Sequence, residues 1–401
     1  MNPPHPHPHP PLHVGQRIEL SPESLVAGGD ALARVDGFPI FVRAIYPGDV
    51  ALVEITEVKK GFARGELVEI LVASADRRLM PCPIAAECGG CDWTALRLDR
   101  QLAAKRVILL ESLRRIGKLD LSTLPSLALH PSPLNYRLRS RLHVSATNPP
   151  DIGFFALRSN RVVPLSSACE VVGPGVLRNW SLIEETARAA APGSSIELFE
   201  TDRGLKVAPA GEAEARAVSI TAGAFRYELS TATFFQVNRH LLTSLIRLVT
   251  GSAATTRRKR RALDLYGGIG FFAQPLASLF DEVVTVESMP LAHRHAAVNA
   301  AGFRSVRAVL DDVERFLAGE NEGADFTLVD PPRAGLTAGV IDGIDRLTRE
   351  RICHLSCDPV TFSRDASRLV RRGWRLVSLD LLDLFPNTHH IETLASFERA
   401  P

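Results

Sequence analysis

The chain lacks any run approaching about 18 consecutive apolar residues, and its N-terminus has neither a basic segment nor an apolar one of the kind that precedes secretory cleavage. A cytoplasmic location is therefore expected, with no membrane partner. It also lacks a dominant charge: 47 Lys and Arg stand against 45 Asp and Glu, for a formal net charge of +2. Any nucleic-acid contact must then come from local basic clusters. No internal repeat is evident, and cysteine is scarce, with 6 in 401 residues. In a reducing compartment Cys82, Cys88, Cys91 and Cys169 read better as metal ligands than as disulfides. Cys353 and Cys357 share one predicted strand, whose rise of about 3.3 Å per residue holds their Cα atoms too far apart to bridge.

What is present is an ordinary globular composition, 45% hydrophobic and 23% charged, on a chain long enough for two or three domains. Residues 1–12 carry a His/Pro repeat that removes backbone donors and predicts a disordered tail. Residues 13–72 alternate short β-like runs with turns such as Gly28-Gly29-Asp30 and Tyr46-Pro47-Gly48-Asp49, predicting a small OB-like β-barrel of five strands. Its Lys59-Lys60-Gly61-Phe62-Ala63-Arg64 segment is either an RNA contact or a solvated hairpin. Residues 73–230 form a β-rich central domain, with a helix over 94–117 that packs on the catalytic domain. In the strand from Tyr136 to Val144, Arg137, Arg139 and Arg141 alternate with Leu138 and Leu142, so the three guanidinium groups are expected on one face, facing RNA. Arg257 to Arg261 reads first as a solvated linker. Residues 231–401 then alternate strands and helices, which predicts a Rossmann-like α/β fold with a seven-stranded, mostly parallel sheet.

Three strand ends carry chemistry. Asp264-Leu265-Tyr266-Gly267-Gly268-Ile269-Gly270 closes one strand with glycines that let a ligand approach the backbone, and Glu287 closes the next. This pattern alone fits NAD or S-adenosylmethionine. Asp330-Pro331-Pro332-Arg333 favours the second, since a Pro-Pro turn after a strand-terminal acid recurs in methyltransferases acting on planar nitrogen heterocycles. Ser356-Cys357-Asp358-Pro359 places a thiol at the neighbouring strand end, facing the same crevice. A thiol there suits carbon methylation of a pyrimidine, because C5 of uracil is a poor nucleophile until a thiolate adds to C6. Glu392 is then the base for the C5 proton, with His389 and His390 as rivals.

These motifs resemble the S-adenosylmethionine-dependent RNA uridine-5 methyltransferases, with further likeness in a TRAM-like barrel, Cys82-x5-Cys88-Gly89-Gly90-Cys91-x-Trp93, Phe234-Phe235-Gln236-Val237-Asn238 and His390-Ile391-Glu392-Thr393. The resemblance implies that Gln236, Tyr266, Gly268, Phe271, Glu287 and Asp330 bind the methyl donor, that Cys357 is the nucleophile and Glu392 the base, and that Phe234 lies near the flipped uracil. It implies a [4Fe-4S] cluster on the four cysteines, with zinc as the alternative their spacing leaves open. It further implies an RNA partner, ribosomal before transfer RNA, and nothing in the chain demands more than a monomer. The rivals are a cytosine-5 methyltransferase and a catalytically lapsed RNA-binding protein. The family often has Asn or Thr at Phe271, so backbone contact is expected there. It usually has Cys at Gly267, an exchange expected to be immaterial. It more often has Asn at Asp358, whose carboxylate is expected to turn into the turn's own hydrogen bonds, away from the thiol.

Overall fold

The computed structural model describes residues 12–211 and 217–399. The expected His/Pro tail lies outside the described residues. Strands β1 (Arg17–Leu20), β2 (Ser24–Leu25), β3 (Ala31–Val35), β4 (Phe38–Val42), β5 (Val50–Val58) and β6 (Ala63–Val72) form one sheet in the order β1-β5-β6-β4-β3-β2. The two-residue β2 is the strand the sequence did not announce. Alternation along β3 to β5 sends Ala31, Ala33, Ile40, Val42, Ala51, Val53 and Ile55 inward, as the two-residue side-chain period requires. Phe62 packs edge-on against Phe41, Arg64 pairs with Asp30 and Lys59 with Glu57, while Lys60 is exposed.

Helix α1 (Leu98–Arg115) buries Gln101, Lys105, Ile108, Leu109, Ser112 and Leu113, a stripe at helical spacing that includes Ser112, bonded back to the Ile108 carbonyl, and two longer polar side chains, Gln101 and Lys105. The longer two are used as anchors. The amide of Gln101 spans Trp93, Leu96 and Asn387, and the Lys105 ammonium donates to Asp383 at 2.6 Å and to the Phe385 carbonyl at 3.0 Å. Burial pulls the Lys105 pKa down against the pull of Asp383. The helix packs against the helix over Pro359–Arg371.

After β7 (Leu127–His130) comes a second sheet built from β8 (Arg139–Val144), β9 (Ile152–Phe155), β10 (Val162–Pro164), then β11 (Ser195–Thr201) and β12 (Gly204–Pro209), with α2 (Pro174–Arg178) and α3 (Trp180–Ala189) between β10 and β11. The hairpin β13 (Ala217–Ala222) and β14 (Phe225–Ser230) and helix α4 (Leu242–Ala254) lead into the largest sheet. Its elements are β15 (Arg261–Leu265), α5 (Ala273–Ala277), β16 (Glu282–Glu287), α6 (Pro290–Ala300), β17 (Val306–Leu310), α7 (Val313–Gly319), β18 (Ala324–Val329), α8 (Ala338–Leu347), β19 (Thr348–Ser356), α9 (Pro359–Arg371), β20 (Trp374–Leu382) and β21 (Glu392–Arg399).

The order is β17-β16-β15-β18-β19-β21-β20-β7, with β21 antiparallel to both neighbours. Seven of these strands match the expected set. The eighth, β7, comes from the preceding part of the chain and pairs parallel with β20. The basic run before β15 divides by side-chain fate. Arg261 is buried and paired with Glu282 and Glu320, Lys259 caps the last carbonyls of α4, and Arg257 is left exposed.

The Lys105–Asp383 pair joins α1 to the loop after β20, with both side chains almost fully buried. Replacing Lys105 by Ala leaves a buried carboxylate unpaired, which costs roughly 3 to 5 kcal/mol. Urea unfolding of Lys105→Ala should show that loss; a change below about 1 kcal/mol would mean that the pair does not anchor the helix.

Candidate active site

The strand order reverses between β15 and β18, and open α/β sheets bind ligands beyond the carboxyl ends of the strands at such a point. The β15 end turns sharply: Tyr266 has φ of 61°, and Gly268 and Gly270 have φ of 56° and 78°. A left-handed tyrosine is uncommon and marks a turn whose surroundings over-determine it. The Gly268 N–H donates to Glu287 Oε2 at 3.0 Å and the Met289 N–H to Oε1 at 2.6 Å, locking the carboxylate at the end of β16. Oε1 also meets the Ser288 hydroxyl at 3.4 Å, so it is Oε2 that keeps a lone pair for a further donor.

Behind the turn, Asp264 is buried and accepts from the Thr285 hydroxyl at 3.0 Å, while its Oδ1 has no partner. Burial pushes its carboxyl up to about 7. Asp330 follows β18 directly and receives the Gln236 amide at 3.2 Å. Burial, then the charge of Asp264, pushes it up to about 7 as well. Gln236, Tyr266, Gly268, Glu287 and Asp330 therefore gather around one crevice. Phe271 does not join them. Its ring is buried against Tyr227, Phe235 and Phe272, and its carbonyl accepts from the Tyr227 hydroxyl at 2.8 Å. The aromatic core thus claims its ring and its carbonyl, which leaves the backbone N–H as the part of Phe271 open to the expected contact. Asp312, at the head of α7 beside β17, was not anticipated, although its charge acts on Tyr266 from across the turn.

Cys357 lies one residue past β19, and the pairing Ser356↔Thr393 puts Glu392 at the level of Cys357. The thiol is half-buried. Burial, then the charges of Glu392 and Asp330, push it up to about 11 against the pull of Arg333. Glu392 is fully enclosed, and burial with the nearby Asp330 raises its pKa well above the usual carboxylate range, again against Arg333. Asp358 takes no part in this: its Oδ1 accepts from the Val360 and Thr361 N–H groups at 2.9 and 2.8 Å, capping α9 as expected. The exposed Arg333 stands 3.4 Å from both ring nitrogens of His390. Equal distances describe a guanidinium over the ring face. Burial, with the neighbouring His389 and Arg333, holds His390 down to about 3, so the ring stays neutral. Phe234 is 65% exposed beside the buried Phe235 and Gln236, a bare aromatic at the mouth.

Cys82, Cys88, Cys91 and Cys169 line one pocket with Phe154, Leu165 and Asn387. Among the described residues no three His, Cys, Asp or Glu side chains yet stand in a metal-holding geometry. The donor chemistry nonetheless fits a metal group. Burial and mutual charge raise the Cys88 and Cys91 thiols, and Arg137 faces Cys91 and Cys169 with its Nε buried and unpartnered. That placement corrects the expected row of arginines. Arg137 precedes β8 and lies over Phe154, while Arg139 and Arg141 share Glu197 of the adjacent β11. The acid missing from their own strand is supplied by its neighbour.

Comparison with known proteins identifies the family. Residues 323–400 match the tRNA (Uracil-5-)-methyltransferase family and residues 11–68 the TRAM domain. An uncharacterized RNA methyltransferase of Gloeobacter violaceus is 30% identical over 450 residues, covering 96% of this chain and 97% of the relative. The 23S rRNA (uracil(1939)-C(5))-methyltransferase RlmD of Pseudomonas putida is 30% identical over 97% of this chain and 95% of its own length. Among solved structures, the Pyrococcus abyssi tRNA (uracil-54, C5)-methyltransferase in complex with S-adenosyl-L-homocysteine superposes with a TM-score of 0.72 at 22% identity, over 94% of this chain and 99% of that one.

Gly267 is not an indifferent position. A Cβ there would stand 1.9 Å from the Thr285 hydroxyl and 2.9 Å from Asp264 Oδ2. The glycine and the threonine are matched, since a β-branched side chain cannot swing aside. Gly267→Ala should destabilise the chain by about 1 to 3 kcal/mol through overpacking. Adding Thr285→Ser, which keeps a hydroxyl for Asp264 but is free of the β-branch, should recover part of that loss in thermal unfolding; a double variant no better than the single one would refute the pairing.

Proposed function

The chain belongs to the S-adenosylmethionine-dependent RNA (uracil-5-)-methyltransferases, and from that premise we propose that it methylates C5 of a flipped uridine through a covalent Cys357 adduct. The observation that carries the reading is the register that levels Glu392 with Cys357, with Asp330 and Arg333 close enough to act on both. S-adenosylmethionine supplies an electrophilic methyl group when bound. Gln236, Tyr266, Gly268, Glu287 and Asp330 hold it, with Glu287 free to accept ribose hydroxyls.

Cys357 Sγ bonds to C6 of the uracil, and the ring electrons move toward O4, leaving C5 nucleophilic. As C5 takes the methyl group the methyl–sulfur bond of the donor breaks and S-adenosylhomocysteine leaves; the Glu392 carboxylate then removes the C5 proton, the C6–S bond breaks and the thiolate is restored. Arg333 favours the charged forms of both Cys357 and Glu392. Extrusion of the base is required because a stacked ring does not expose both faces to thiol and donor. Phe234 stacks near the extruded base, a contact of about 1 to 3 kcal/mol.

Large-subunit ribosomal RNA is the favoured target, because the Pseudomonas putida relative carries that substrate in its name. The four cysteines that line one pocket would hold a [4Fe-4S] cluster through their thiolates. Arg137 offsets its negative charge. Residues 13–72, 73–230 and 231–401 act as TRAM, central and catalytic domains of a cytoplasmic monomer.

RNA carrying 5-fluorouridine tests the nucleophile, since fluorine at C5 blocks release. Wild type should form a denaturation-resistant RNA complex and Cys357→Ala none. A Cys357→Ala variant as active as wild type would refute the mechanism. The rate of complex formation should rise about tenfold per pH unit from about pH 6 to 9, because a thiol pushed up to about 11 is mostly protonated there. A flat profile would show that ionisation of Cys357 does not govern attack. Arg333→Gln should slow the same step.

A further inference from the structure

Asn387 is fully buried and has φ of 67°, a left-handed conformation that asparagine tolerates better than most residues. It lines the cysteine pocket and begins the segment that leads to Glu392. Its Oδ1 accepts from Arg78 and Gln101 at 3.0 Å each, and its Nδ2 donates to Glu170 at 3.1 Å. Its own N–H donates to Gln101 Oε1 at 2.7 Å, and its carbonyl accepts the N–H groups of Asp92 and Trp93 at 2.9 and 3.0 Å. Two of these partners adjoin cysteines, since Asp92 follows Cys91 and Glu170 follows Cys169. A second link runs parallel: His389 Nδ1 meets Asp92 Oδ2 at 2.6 Å, and His389 packs against His390, which carries Arg333.

We propose that Asn387 is a positioning residue through which the cysteine pocket sets the placement of Glu392. The inference rests on Glu392 being the base and on the four cysteines holding a metal group. A shift of the Cys91 or Cys169 loop reaches Asn387 through buried hydrogen bonds to Asp92 and Glu170, and so reaches the start of β21. A buried hydrogen-bonded network transmits such a shift because leaving a member unpaired is costly.

Asn387→Gly keeps the backbone conformation and deletes the three side-chain hydrogen bonds. With the full chain, methyl donor and RNA from a strain deleted for this gene, the variant should turn over roughly 100-fold more slowly, as expected for a misplaced catalytic group. The donor KM should be unchanged, and a denaturation-resistant complex should accumulate on natural uridine, as in Glu392→Gln, because attack proceeds while proton removal lags. Wild type stripped of metal by chelation should accumulate the same complex, whereas stripping should add nothing to Asn387→Gly.

Asn387→Gly turning over like wild type, or slowed without accumulating complex, overturns the coupling, and so does stripped wild type that behaves as untreated. If Glu392→Gln itself accumulates no complex, the base assignment fails and takes the coupling with it. A chain that holds no metal when purified without oxygen refutes the cysteine reading, and the coupling again falls. Failure of Asn387→Gly beside a normal Glu392→Gln in a metal-holding chain refutes the coupling alone.

Discussion

The antiparallel course of β21 between β19 and β20 is the constraint on which the active site depends. Parallel strands all present their carboxyl ends to the crevice, so Asp330 and Cys357 arrive there from β18 and β19. An acid at the beginning of a parallel strand would lie at the opposite edge of the sheet. Because β21 runs the other way, its first residue, Glu392, reaches the crevice at the level of Cys357. One reversed strand thus supplies the group that parallel topology cannot.

The crowding that results has an electrostatic consequence. Asp264, Asp330 and Glu392 are all pushed toward their protonated forms by burial, and the raised Cys357 thiol stands among them. Arg333 is the cation that opposes this in both Cys357 and Glu392. Around neutral pH the Asp264 and Asp330 carboxyls are therefore only partly ionised, and the Cys357 thiol is mostly protonated. Asp358, beside the thiol in sequence, stays out of the balance because it is occupied in capping α9.

Much of this was legible in the chain, and the rest was hidden for identifiable reasons. Cys357, Asp330 and Glu287 end apolar runs, so their crevice-facing position follows from local pattern alone. The short connection from Asp383 to Ile391 also signals reversal, since a parallel crossover needs about a dozen residues or more. Non-local partners leave no such mark. The strand β7 pairs with β20 far along the chain, the acid for Arg139 and Arg141 comes from β11, and the ring of Phe271 is claimed by Tyr227 and Phe235. Gly267 shows the same effect at short range. Its meaning depends on Thr285 of the next strand, which no motif spanning residues 264–270 contains.

The central claim is that the methyl group replaces the hydrogen at C5 of a uridine in RNA. Unmodified RNA labelled with tritium at C5 of uridine, incubated with the chain and methyl-labelled S-adenosylmethionine, tests it most directly. The account predicts release of tritium to water in equal amount to methyl incorporation, with both abolished in Cys357→Ala. Methyl incorporation with the tritium retained would place the new bond on another atom and contradict the account.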